Sequence, residues 1–213
     1  MPRLAVAFFI ARHTGAMPSP DQPDLFDAPP PALPAGMRYA SGFLTADEEA
    51  ALVSQIERLP LAPMQYQNYT ALRRVVSYGS QYDFSAQRLN AADPLPDWLS
   101  PLRAKAAHWI GVAPEAFTQA LVAEYRPGTP LGWHRDVPDF EDIVGISLLN
   151  DAVLRLRPYP PIAPKKADVL KVTVAPRSIY LLRGTARWDW QHSVAATKLL
   201  RYSITLRTSR ARV

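Results

Sequence analysis

Four histidines occur in the chain: His13, His108, His134 and His192. His134 opens the triplet His134-Arg135-Asp136. In an extended segment residues i and i+2 project to the same side, so this imidazole and this carboxylate can face one ion. A third ligand has to come from elsewhere, and His192 is the one other histidine in the strand-rich part of the chain. Two histidines and a carboxylate on one face leave coordination positions open, which is the arrangement of non-haem Fe(II) oxygenases. A bare H-x-D triplet discriminates poorly, and a surface His-Arg-Asp charge cluster is the competing reading.

The segment Arg201-Tyr202-Ser203-Ile204-Thr205-Leu206-Arg207 alternates strictly. As a strand it puts Tyr202, Ile204 and Leu206 on one face and Arg201, Ser203, Thr205 and Arg207 on the other. Two guanidinium groups and two hydroxyls make a poor core face and a good site for a dicarboxylate, because arginine grips a carboxylate with two parallel hydrogen bonds. A solvent-facing polar side is the alternative. This polar face begins nine residues after His192, where a cosubstrate beside the metal would have to be held.

The elements that must position these groups lie on both sides of them. Thr45-Ala46-Asp47-Glu48 has capping-box spacing, and Leu52, Ile56 and Leu59 follow at helical intervals, so a helix is expected over 46–59, stopped by Pro60. A second is expected over 96–110, with Trp98, Leu99, Leu102, Ala106 and Trp109 on one face and Gly111 beyond its end. From Phe117 onward short β-branched and apolar runs suggest strands over 118–125, 142–149, 152–157, 168–175, 178–183 and 199–208, separated by Pro127-Gly128, Asn150-Asp151, Pro176-Arg177 and Gly184. Helices followed by many short strands argue for an α+β domain built on a sandwich or barrel with helices on one side.

The chain has 213 residues, no cysteine, and a net charge of +5. Absence of cysteine removes disulfides, a cysteine nucleophile, iron–sulfur clusters and thiolate zinc sites, and leaves His, Asp and Glu to hold any metal. The apolar run Leu4 to Ala11 is too short to cross a bilayer, which takes ~20 residues, and no cleavage pattern follows it, so a cytoplasmic protein is expected. Residues 17–36 are rich in proline and acid, so 1–36 is expected to be a mobile lead-in, with Met17 an alternative start and the packed domain beginning near Met37. Residues 151–213 carry 13 basic and 3 acidic side chains, and this basic half would attract a phosphate backbone or a dicarboxylate.

Glu124-Tyr125-Arg126-Pro127-Gly128 with His134-x-Asp136, the later His192 and the terminal R-x-S-x-T-x-R together resemble the AlkB family of 2-oxoglutarate- and Fe(II)-dependent dioxygenases over residues 37–208. Leu72-Arg73-Arg74-Val75-Val76-Ser77-Tyr78-Gly79 with Tyr82-Asp83-Phe84 is similar to the segment those enzymes use as a nucleotide-recognition lid, here about 61–93. The resemblance implies a double-stranded β-helix, a jelly-roll-like fold, with His134, Asp136 and His192 as iron ligands. It also implies that Arg201 and Tyr125 hold the far carboxylate of 2-oxoglutarate, that Ser203 stands in the same motif, and that Arg207 lies near the carboxylate beside the metal. Two positions depart from the family pattern: Ala123 and Ser203 stand where asparagine is common. Loss of one such amide would weaken cosubstrate binding by about 0.5–1.5 kcal/mol.

The implied activity is oxidative demethylation of N-alkylated nucleic-acid bases, of the DNA/RNA alkylation-repair type, with Fe(II), 2-oxoglutarate and O2. A base in a duplex must be flipped out and stacked on aromatic side chains, or arrive single-stranded. Tyr78, Trp133 and Trp190 are the aromatic candidates, and Arg73 and Arg74 could contact phosphates. Where a second acid follows the triplet by two positions in the best-known branch, this chain has Pro138, with Asp139 next, which leaves the base open. Two alternatives remain: the same iron chemistry on a protein side chain or small molecule, and a non-catalytic jelly-roll binding domain. A monomer is expected.

Overall fold

The structure, a computed structural model, describes residues 32–65, 70–83, 88–162 and 168–211. The expected lead-in, His13 and Met17 lie outside the described residues, apart from positions 32–36 of that segment. The first strand among the described residues is β1 (Met37–Ala40).

Two antiparallel sheets form the body of the domain. The larger has the order β1, β11 (Ser178–Leu182), β8 (Phe140–Leu148), β13 (Arg201–Ser209), β6 (Phe117–Tyr125), β3 (Thr70–Tyr78), β2 (Ala62–Gln65). The smaller has the order β10 (Leu170–Val174), β9 (Ala152–Pro158), β12 (Trp190–Val194), β7 (Leu131–His134). A separate hairpin pairs β4 (Ser80–Asp83) with β5 (Arg88–Ala91). This is the jelly-roll-like double-stranded β-helix that the sequence suggested, with its helices on one side.

Helix α1 (Ala46–Ile56) begins with the capping box: the Thr45 hydroxyl accepts from the Glu48 backbone N–H, and the Glu48 carboxylate accepts from the Thr45 N–H. It ends three residues earlier than the apolar spacing suggested. Proline's ring collides with the carbonyl four residues before it, and for Pro60 that residue is Ile56, so Glu57 to Leu59 turn out of the helix. Helix α2 (Ser100–Ile110) likewise starts late, after a short 3-10 turn at Asp97–Leu99. Pro101 has no N–H and fits only in a first turn, which sets the start, and Gly111 at φ +77° closes the end.

Both helices pack on the outer face of the large sheet. Leu52, Ile56, Leu102, Ala106 and Ile110 meet Val122, Val144, Ile146, Leu148, Tyr202, Ile204 and Leu206 in one buried cluster. Each such side chain fully withdrawn from water contributes about 1.5–3 kcal/mol. Glu49 fastens α1 to the sheet: its carboxylate accepts from the Leu149 N–H at 2.8 Å and from Arg177 at 3.0 Å. The inner face of the large sheet meets the small sheet across a second cluster that includes Tyr125, Ile143, Leu154, Leu156, Val172, Val174 and Leu182.

Candidate metal centre

His134 ends β7 and His192 lies mid-way along β12, and the two are direct cross-strand partners. Asp136 follows two residues after His134 in the loop to β8. One ligand atom from each of His134, Asp136 and His192 lies within 4.8 Å of the other two. The imidazole rings are 4.2 Å apart between centroids, and His192 Nε2 is 3.4 Å from Asp136 Oδ2. The H-x-D pair and the distant histidine therefore meet at one point.

Each ligand is held by a neighbour. His134 Nδ1 is 2.9 Å from the Gly132 carbonyl, which fixes the proton there and leaves Nε2 with its lone pair. Asp136 Oδ1 accepts from Arg207 Nε at 2.8 Å and from its Nη2 at 2.6 Å, whereas buried Oδ2 has no hydrogen-bond partner. Arg207 is itself held by the Gln119 side-chain carbonyl at 2.7 Å. Buried Arg187, from the one-turn helix α3 (Thr185–Trp188), donates to the carbonyls of Asp136, Val137 and Phe140 and shapes the ligand loop.

The protonation states suit a divalent cation. Burial pushes His192 down to about 3, helped by the neighbouring His134 and opposed by Asp136. Burial also lowers His134, against the pull of Asp136. For Asp136 burial acts upward, but Arg207 and then His192 and His134 outweigh it and hold the carboxyl well below the usual range. Two neutral imidazoles and an ionised carboxylate with one unpaired buried oxygen fit Fe(II), and with no thiolate present the donor set is all nitrogen and oxygen.

Two cavities adjoin the ligands. The inner one is lined by Tyr125, Tyr180, Arg201, Ser203, Thr205 and Arg207 together with the three ligands. Arg201 is 3% exposed; its Nε donates to Ser147 Oγ at 2.9 Å, and its buried Nη1 has no hydrogen-bond partner. The outer cavity, about 190 Å³, reaches His134 and Asp136 and is walled by Met64, Arg73, Tyr82, Trp133 and Arg135, among others.

The candidate substrate residues separate by strand parity. Arg73 lies on the inner face of β3 and lines both cavities. Its neighbour Arg74 points the other way, pairing with Glu124 at 3.1 Å and with the Leu61 carbonyl at 2.6 Å. Tyr78 is on that same outer face, packed against the helix-side cluster. Trp133 is at the outer cavity, beneath the guanidinium groups of Arg155 and Arg157. Trp190 packs into the cluster between the sheets. Sequence reasoning did not single out Tyr180, Gln119, Arg187 or Ser147; they become visible only when β11 is paired with β8, β6 with β13, and α3 is set against β8 and β12.

A family model described as 2OG-Fe(II) oxygenase superfamily matches residues 36–210. The chain belongs to the 2OG-Fe(II) oxygenase superfamily. Within it the chain is AlkB-like. It is 25% identical over 175 residues to the tRNA (carboxymethyluridine(34)-5-O)-methyltransferase ALKBH8 of Macaca fascicularis, covering 79% of this chain and 26% of that protein. To the alkylated DNA repair protein ALKBH8 homolog of Arabidopsis thaliana it is 26% identical over 185 residues, covering 77% of this chain and 52% of that one. This oxygenase thus spans about a quarter to a half of the length of these curated relatives. The solved structure of OsALKBH1 shares the fold, with a TM-score of 0.66 at 16% identity, over 84% of this chain and 100% of that one. In this superfamily the three ligands hold Fe(II), and 2-oxoglutarate is the cosubstrate. No helix among the described residues is long and apolar enough to cross a membrane.

Proposed function

We propose that this oxygenase removes N-alkyl groups from nucleic-acid bases, acting in the cytoplasm. The observation that carries the reading is the outer cavity: it opens onto His134 and Asp136 and is bordered by Trp133 and Tyr82 with Arg73 and Arg135. Aromatic rings stack any base, and guanidinium groups suit its phosphates. Trp133 sits under Arg155 and Arg157, so the mouth of the cavity continues into basic surface. The macaque and Arabidopsis relatives carry names that refer to tRNA and to alkylated DNA, which supports nucleic acid as the substrate class.

Bound Fe(II) with 2-oxoglutarate and O2 would supply the oxidant that hydroxylates an N-methyl group, whose product breaks down to formaldehyde and the bare nitrogen. The chain's own residues fix the geometry. The Gly132 carbonyl aims His134, Arg207 occupies one oxygen of Asp136 so that the other is left for the metal, and Arg187 holds the loop between them. Arg201 offers its unpaired Nη1 to the far carboxylate of 2-oxoglutarate, with Tyr125 as its cross-strand partner, and Ser203 and Arg207 continue along the same face toward the metal.

Formaldehyde release from methylated single-stranded DNA or RNA, with succinate counted in parallel, tests the reading. Substrate-dependent formaldehyde is expected. If alkylated oligonucleotides do not raise succinate above the substrate-free rate, the same chemistry on a protein side chain or small molecule takes its place. Absence of Fe(II)-dependent 2-oxoglutarate binding would select a non-catalytic domain.

A further inference from the structure

We propose that Tyr180 is a specificity-determining residue of the cosubstrate pocket, closing one side of the inner cavity opposite Arg201 and so limiting the length of 2-oxo diacid that is admitted. The proposal rests on the reading of Arg201 as the carboxylate anchor.

The register of the large sheet sets the geometry. On its inner face Ser178, Ser147, Ser203 and Ala123 are cross-strand neighbours in one row. Arg201 and Tyr125 pair with each other on one side of that row. On its other side lies a row made of Tyr180, Gly145, Thr205 and Leu121. Of the first row Ser203 and Ala123 line the inner cavity together with Arg201, whose Nε donates to Ser147 Oγ and whose buried Nη1 has no hydrogen-bond partner.

Tyr180 is the large side chain that reaches into this space from the flank. A Cβ on Gly145 would overlap the Cζ, Cε1 and hydroxyl of Tyr180, so the ring lies directly over residue 145. A side chain there and the ring in this position exclude each other. The ring therefore crosses from β11 over β8, where Gly145 pairs with Thr205, and Tyr180 joins Tyr125, Arg201, Ser203 and Arg207 in the wall of the inner cavity. Burial, opposed by Arg201, pushes the phenol up to about 12, so the hydroxyl remains a hydrogen-bond donor at neutral pH. A protonated phenol beside two guanidinium groups is suited to a dianionic ligand, and a rigid ring fixes how long that ligand can be.

The test is anaerobic titration of the Fe(II)-loaded protein with 2-oxoglutarate and with 2-oxoadipate, one methylene longer, following the metal-to-ligand charge-transfer band. Tyr180→Phe, which keeps the packing, is expected to weaken 2-oxoglutarate binding about three- to ten-fold. Tyr180→Ala is expected to shift the preference toward 2-oxoadipate by about ten-fold, the low end of what one methylene commands in a fitted pocket, because this one is lined largely by polar groups. Phe and Ala variants that titrate as the parent with both diacids would overturn the proposal while leaving the Arg201 reading intact. A parent protein that gives no band with 2-oxoglutarate would overturn both.

Discussion

The two faces of β13 are made from alternate residues of one nine-residue segment, yet they obey opposite rules. Tyr202, Ile204 and Leu206 meet α1 and α2 in a dry cluster, where volume decides. Arg201, Ser203, Thr205 and Arg207 line a cavity whose polar atoms are partly unpaired, where ligand chemistry decides. Buried donors and acceptors ordinarily find partners inside the protein. Their absence at Arg201 Nη1 and Asp136 Oδ2, both in the wall of the inner cavity, marks that face as the one open to ligands. One strand thus holds the fold together on one side and the site on the other.

Substitutions can break this division in order of size. His134→Ala removes an iron ligand from the inner side, and succinate formation is expected to fall to background while thermal unfolding stays cooperative; an unaltered rate would dispose of the iron assignment. On the outer side Ile204→Ala should cost about 2–5 kcal/mol of stability by denaturant titration. Its 2-oxoglutarate affinity should stay near that of the parent, and a large loss would show that the faces are coupled. Arg201→Ala should do the reverse: about 1.5–3 kcal/mol of cosubstrate affinity is lost with the charge-assisted hydrogen bonds, readable as a ten- to hundred-fold rise in Kd. Thr45→Ala, far from the site, should cost about 0.5–2 kcal/mol through the lost cap and leave the charge-transfer titration unchanged.

The smallest expected effect is a pH dependence of the helix side. Lys105 hydrogen-bonds the Glu48 carboxylate, and with the Thr45 backbone it holds Glu48 below its ordinary value of 4.5. A depressed carboxyl contributes stability above its unfolded value, lost as pH falls through the lower folded one. Glu48→Gln should therefore flatten the acid limb of stability below about pH 4.5 and leave neutral pH little changed.

The chain's own pattern carried much of this. Strict alternation marked both faces of β13, the capping box marked the start of α1, and i, i+2 spacing put His134 and Asp136 on one side. Such features depend on neighbours a few residues apart, and local geometry suffices for them. Strands β7 and β12 were harder to read, because Leu-Gly-Trp-His and Trp-Gln-His-Ser-Val are short and hold one β-branched residue between them, and β12 pairs with both β7 and β9. Within the lid-like segment 61–93, β3 pairs with β6 as part of the large sheet, so parity sends Arg73 to the cavities and Arg74 and Tyr78 to the helix side.

By itself the sequence determined which residues could bind iron and which face of the last strand was polar, since donor chemistry and period-two alternation are properties of the chain alone. Only the tertiary structure decided that His192 pairs with His134, that Asp136 keeps one oxygen unpaired, and that Tyr180 lies over Gly145. Those facts follow from register between strands distant in sequence, and register is fixed by the packing of the whole sheet.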